Sequence, residues 1–132
     1  MAETEKITIN LNVVDLGKID LLVARGFYAS RTDFIRASIR ELLNKHEDDF
    51  KKDVTYRTAG LGVMYESRPE LEKLARIGEQ KDIYVIGMLI IASDVTPELA
   101  LATIRSLHVY GVLRANDAVK AALADLNQPA GE

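Results

Sequence analysis

The sequence predicts an α/β protein built in two parts. The first part is one strand followed by two helices, which complete a core only with a second copy of the chain, as an intertwined dimer. The second is a small α/β module of repeated strand–helix units with a mainly parallel three-stranded sheet. Three observations predict this. Residues Lys6-Ile7-Thr8-Ile9-Asn10-Leu11-Asn12 alternate polar and apolar without a fault, the side-chain period of a strand with one buried face. The next thirty or so residues are helical in pattern and offer that strand no partner. Further on, Ile83-Tyr84-Val85-Ile86-Gly87-Met88-Leu89 aligns with Leu107-His108-Val109-Tyr110-Gly111-Val112-Leu113 at an offset of 24, the mark of a repeated unit.

A strand without a neighbour leaves its backbone donors and acceptors unpaired. The same strand from a second chain is the simplest partner, and it would form a two-stranded antiparallel ribbon. Asp15 can cap a first helix by accepting from an amide of its first turn. Leu16, Ile19, Leu22 and Val23 then share one face, and Gly26 ends the element. Ser30-Arg31-Thr32-Asp33 opens a second helix with a capping-box type of start. Ile35, Ile39, Leu42 and Leu43 lie on one side of it, with Phe34 on the flank. One strand and two short helices cannot enclose a core alone. In a dimer, Ile7, Ile9 and Leu11 of both ribbons would lie on Ile35, Ile39 and Leu42 of both second helices.

The expected division is a first domain over 1–48, a linker over 49–55, a second module over 56–128 and a frayed tail over 129–132. Glu47-Asp48-Asp49-Phe50-Lys51-Lys52-Asp53 is charged and lacks apolar pattern, which suits a linker or one more turn of the second helix. In the second module the units read as strand then helix: 61–65 with 69–77, 83–91 with 97–105, 107–113 with 117–125. Pro69 and Pro97 suit first helical positions, where the missing N–H costs nothing. The connections are long enough for right-handed crossovers between parallel strands. Nearly continuous apolar strands suit burial on both faces. Three strands also leave edges that self-association would cover, so a higher homo-oligomer through this module is expected.

Composition narrows the chemistry. The 132-residue chain is 48% hydrophobic and 28% charged, the balance of a globular protein. It has no cysteine, and His46 and His108 are its only imidazoles. Disulfides and thiol catalysis are thereby excluded, and no metal site or cofactor is expected. No nucleophile–base pair or phosphate loop stands out, so an enzyme is not expected. The polar start is no signal peptide, and the longest apolar run, Ile83 to Ala92, is too short to cross a bilayer. A cytoplasmic protein without membrane contact is expected. The net charge of −3 speaks against an unspecific nucleic-acid binder. Residues 1–45 nonetheless hold seven Lys/Arg against six Asp/Glu, so the negative excess lies in the second half.

Residues 6 to 46 resemble the ribbon-helix-helix DNA-binding domains of the MetJ/Arc/CopG group of transcriptional regulators. The likeness rests on the strand Lys6–Asn12, the turn Gly26-Phe27-Tyr28-Ala29-Ser30 and the helix opening Ser30-Arg31-Thr32-Asp33-Phe34-Ile35. It implies double-stranded DNA as partner, a paired ribbon in the major groove, and base reading by Lys6, Thr8 and Asn10. Their chemistry fits base edges, since lysine donates to guanine, asparagine pairs with adenine, and threonine offers a hydroxyl or touches a thymine methyl. The resemblance also implies that Ser30, Arg31 and Thr32 hold a phosphate at the start of the second helix, where amides and helix dipole favour an anion.

Open α/β sheets place ligands beyond the C-terminal strand ends. Ser93, Asp94, Arg114, Asn116 and Asp117 stand there, as an effector site or simply as turn and cap residues. The leading expectation is a sequence-specific regulator, more readily a repressor. The alternatives are an antitoxin whose C-terminal part wraps a toxin, and a self-assembling structural protein that uses the ribbon only to dimerise.

Overall fold

The computed structural model describes residues 4–57 and 60–127. Among these, the elements run α1 (Val13–Ala24), α2 (Arg31–Asn44), α3 (Glu47–Arg57), β1 (Gly60–Glu66), α4 (Arg68–Arg76), β2 (Lys81–Ile91), α5 (Pro97–Thr103), β3 (Ile104–Arg114) and α6 (Asp117–Leu123). The chain is mixed α/β and divides into two compact units, Met1–Lys51 and Lys52–Glu132. The predicted tail lies outside the described residues.

In the first unit, α1 starts earlier than Asp15 implied. Its cap is Asn12, whose Oδ1 accepts from the Val14 amide at 2.8 Å. Asp15 sits in the first turn instead, where its charge still faces the positive end of the helix. The predicted face is the shielded one: Ile19 is buried and Leu16, Leu22 and Val23 are half-buried, while Val13, Val14 and Leu21 are exposed. Gly26 closes the helix at φ 84°. Its amide reaches Val23 O and the Phe27 amide reaches Leu22 O, both at 3.0 Å. That paired closure needs a left-handed residue.

Ser30 caps α2 as expected, its Oγ accepting from the Asp33 amide at 3.1 Å. Asp33 answers by accepting from the Ala29 amide at 3.0 Å. Tyr28 and Phe34 meet edge to face with centroids 5.0 Å apart, which ties the turn to the helix it precedes. The stretch 49–55, expected to connect the two parts, lies within α3. This helix does not extend α2: Lys45 and His46 interrupt them. Glu47, Asp48 and Asp49 crowd its first turn, where the dipole stabilises negative charge.

In the second unit the three strands are parallel in the order β1-β2-β3. The repeat offset of 24 reappears as the register itself, Ile83 opposite Leu107 and Leu89 opposite Leu113. α4 and α5 are the crossovers, capped by Ser67 and Thr96. Pro97 opens α5, whereas Pro69 stands second in α4, after Arg68. Both are places where no helical hydrogen bond is lost.

One face of the sheet forms the core. Ile83, Val85, Leu89 and Ile91 of β2 and Leu107 and Val109 of β3 pack with Leu71, Ala100, Val119 and Leu123 from α4, α5 and α6. The other face is open along β1, where Leu61, Val63 and Tyr65 are more than half exposed. On β2 the same face is shielded, with Tyr84 and Met88 buried, so among the described residues the central strand is covered on both faces and β1 is not.

Gly62, Gly87 and Gly111 lie side by side across the sheet, at φ 117°, 134° and 120°. A Cβ at Gly87 would run into the carbonyl oxygen of Gly62, and one at Gly111 into that of Gly87. Lys81 Nζ meets Glu66 Oε1 at 2.6 Å, although the register sets Glu66 level with Ile91, ten residues beyond Lys81. A straight strand would separate those levels by about 33 Å, so β2 is bent. Gly87 and the irregularity between Lys81 and Asp82 are where its backbone leaves the regular pleat.

Within the second unit each strand–helix repeat is also latched to the next. Ala92 N donates to Glu66 O at 2.9 Å, and Arg68 donates to Asp94 O at 3.2 Å. Asn116 Nδ2 donates to Ser93 O and Val95 O at 3.2 and 2.8 Å. Asn127 bridges Leu107 in parallel and accepts from Val109 N at 3.1 Å. The second unit is a short solenoid in which each repeat leans on its neighbour.

Two outcomes test this packing. Gly87→Ala should destabilise by about 2–4 kcal/mol through clash and backbone strain. Gly17→Ala, in α1 with open space around it, should be neutral or stabilising by about 0.5–1 kcal/mol; urea unfolding of both variants gives the comparison. Asp82 accepts from Arg105 Nε at 3.0 Å, from Arg105 Nη2, and from Ser106 Oγ at 2.7 Å. These bonds, Arg105's first, lower its pKa from 3.8 to about 2. A lowered carboxyl pKa stabilises the fold above the ordinary value, and that contribution is lost as pH falls through the folded one. Asp82→Asn should therefore flatten the pH dependence of stability between about pH 4 and pH 2.

Candidate nucleic-acid interface

Residues 4–12 lead into α1 and form no strand within the single chain. Lys6, Thr8 and Asn10 are exposed, and so are the apolar residues between them: Ile7 at 74%, Ile9 at 61% and Leu11 at 40%. Ile39 and Leu42 of α2 are 48% and 60% exposed, and Ile35 is half-buried. Ile19 is the one buried apolar side chain among the described residues of the first unit. Apart from the half-buried Ile35, the predicted core residues are therefore uncovered in the single chain.

The start of α2 brings Ser30, Arg31 and Thr32 together, all exposed. The Ser30 hydroxyl accepts the cap bond and keeps its own proton to donate. The first amides of a helix have no partner within it, so this turn presents donors outward. Arg31 is engaged: its Nε and Nη2 donate to Asp20 Oδ1 and Oδ2 at 2.7 and 2.8 Å. That bidentate bond holds the Asp20 carboxyl below its ordinary pKa and raises that of Arg31. Asp20 is absent from the predicted set, because no local spacing links a carboxylate on one helix with the first residue of the next.

The five residues at the strand ends are spread among structural roles. Asn116 caps α6, its Oδ1 accepting from Val119 N at 2.8 Å, while its amide group makes the latch to Ser93 and Val95. Ser93 and Asp94 form the exposed turn after β2 and contribute backbone oxygens to neighbouring units. Asp117 lies in the first turn of α6, and Arg114 ends β3. An open pocket lies elsewhere, beside the starts of β2 and β3, lined by Ala75, Gly78, Glu79, Gln80, Ala102 and Arg105. The His108 ring lies tilted against that of Tyr84, with centroids 5.8 Å apart. Among the described residues no helix is long and apolar enough to cross a membrane, and no cluster of acidic and imidazole groups could hold a metal ion.

Removing the Ser30 cap should loosen this turn. Ser30→Ala should cost about 1 kcal/mol of stability by denaturant titration, and Ser30→Gly only a few tenths.

The profile of the ribbon-helix-helix transcriptional regulator family matches residues 2–120 of this sequence, nearly its whole length. No curated protein and no solved structure matches it.

Proposed function

The chain belongs to the ribbon-helix-helix transcriptional regulator family, and from that premise we propose that it is a sequence-specific DNA-binding repressor that acts as a homodimer. Residues Lys6–Asn12 of two chains pair as an antiparallel ribbon, which enters the major groove of double-stranded DNA. Lys6, Thr8 and Asn10 read base edges from its outer face. Ile7, Ile9 and Leu11 turn inward onto Ile35, Ile39 and Leu42 of both second helices. The observation that carries this reading is the exposure of that alternating apolar set in the single chain. Covering it and pairing its backbone are the same event.

Ser30, Arg31 and Thr32, with the amides of the first turn of α2, hold a phosphate on each side of the ribbon and set its register. In this reading residues 1–48 are the DNA-binding and dimerisation domain and 56–128 an oligomerisation or effector module. Repression needs only that the dimer occupy the groove against other proteins. The antitoxin alternative calls for a C-terminal part that is disordered alone. It sits poorly with a second unit whose Leu71, Val85, Leu89, Leu107 and Leu123 are almost wholly buried.

Duplexes selected from a random pool, followed by fluorescence anisotropy, test the proposal. The wild type should prefer a selected duplex to random DNA by orders of magnitude. Replacing Lys6, Thr8 and Asn10 together by alanine should cost about 1–3 kcal/mol per lost base contact while leaving the dimer intact in sedimentation. A triple variant that binds like the wild type would remove the ribbon as reading head.

A further inference from the structure

The Asp20–Arg31 pair bears on how this protein separates its site from other DNA. Arg31 is the first residue of α2, within the turn that holds the phosphate. Asp20 lies on α1 and takes one edge of the guanidinium, the one made by Nε and Nη2, at 2.7 and 2.8 Å. A guanidinium has five N–H donors. Two are used here, and the remaining three lie around Nη1 and the far side of Nη2. That second edge has the spacing of two phosphate oxygens.

The pair is open to water, with the two side chains 57% and 47% exposed. An ion pair this exposed adds little to folding. Its consequence for binding is larger. A carboxylate within 3 Å cancels most of the charge with which an arginine attracts phosphates from a distance. The same bidentate bond fixes the direction in which the arginine can donate.

We propose that Asp20 is a positioning residue for DNA binding: it turns Arg31 from a free charge into an aimed hydrogen-bond donor, and so lowers affinity for random DNA more than for the specific site. This rests on the reading of the chain as a DNA-binding regulator. On a correctly seated ribbon the phosphate stands where the outer edge of Arg31 can meet it. On random DNA the seating varies, and the neutralised pair contributes little.

The test compares wild type, Asp20→Asn, Asp20→Glu, Arg31→Ala and the Asp20→Asn/Arg31→Ala double variant on a selected and a random duplex, over 50 to 200 mM salt. Freeing one charge should steepen the salt dependence of random binding by about 0.9 in log–log slope. Between those salt concentrations Asp20→Asn should then lose about threefold more affinity than wild type. Its ratio of specific to random binding at the low-salt end should fall by a similar factor. Asp20→Glu, which keeps the carboxylate, should stay near wild type. In the Arg31→Ala background Asp20→Asn should leave the ratio of specific to random binding unchanged, because the lone carboxylate repels both duplexes alike, whereas a merely structural role would act on the ratio in both backgrounds. An unchanged slope in Asp20→Asn, or a change in the ratio that persists without Arg31, overturns the proposal. A wild type that prefers no duplex overturns the regulator reading instead.

Discussion

Backbone pairing is the constraint from which both halves of this protein follow. An extended segment must give its N–H and C=O groups to a neighbour or leave them to water. The second unit meets this by repetition, each strand lying parallel to the one before at an almost constant offset. The first unit has one alternating segment and no strand among its described residues. The physical demand that strand pairing meets in the second unit is not met by strand pairing there.

Stacking explains the details of the second unit. In-register repeats bring like residues together, so glycine meets glycine at Gly62, Gly87 and Gly111. Backbone carbonyls then occupy the space a side chain would need. Caps recur as well, through Ser67, Thr96 and Asn116. Asn116 both starts its own helix and holds the preceding turn. The bent β2 also brings Lys81 to Glu66, a buried carboxylate whose other oxygen has no partner among the described residues. Such a group tolerates burial only while its cation stays in place.

In the first unit, folding leaves apolar residues uncovered: Ile7, Ile9 and Leu11 are exposed alongside Lys6, Thr8 and Asn10 and form no strand within the single chain. The α2 start serves folding through the Ser30–Asp33 cap, and the first amides of the helix have no partner within it. Asp20 adds a restraint on its arginine.

The sequence by itself determined the strand–helix order of the second unit, its parallel register, the Ser30 cap and the shielded face of α1. These depend on local chemistry or on a repeat that shows wherever it stands: period two, period 3.6, cap residues and an offset of 24. It also picked out the alternating residues 6–12, whose polar and apolar sets are both exposed in the single chain. Only the tertiary structure decided that Asn12 rather than Asp15 caps α1, because a cap depends on which oxygen reaches the amide. It likewise decided that residues 47–57 form their own helix, that β2 bends, and that the helices cover one face of the sheet. The Asp20–Arg31 and Glu66–Lys81 pairs belong to the same class. Each joins residues far enough apart in sequence that only the path of the backbone between them brings their charges together.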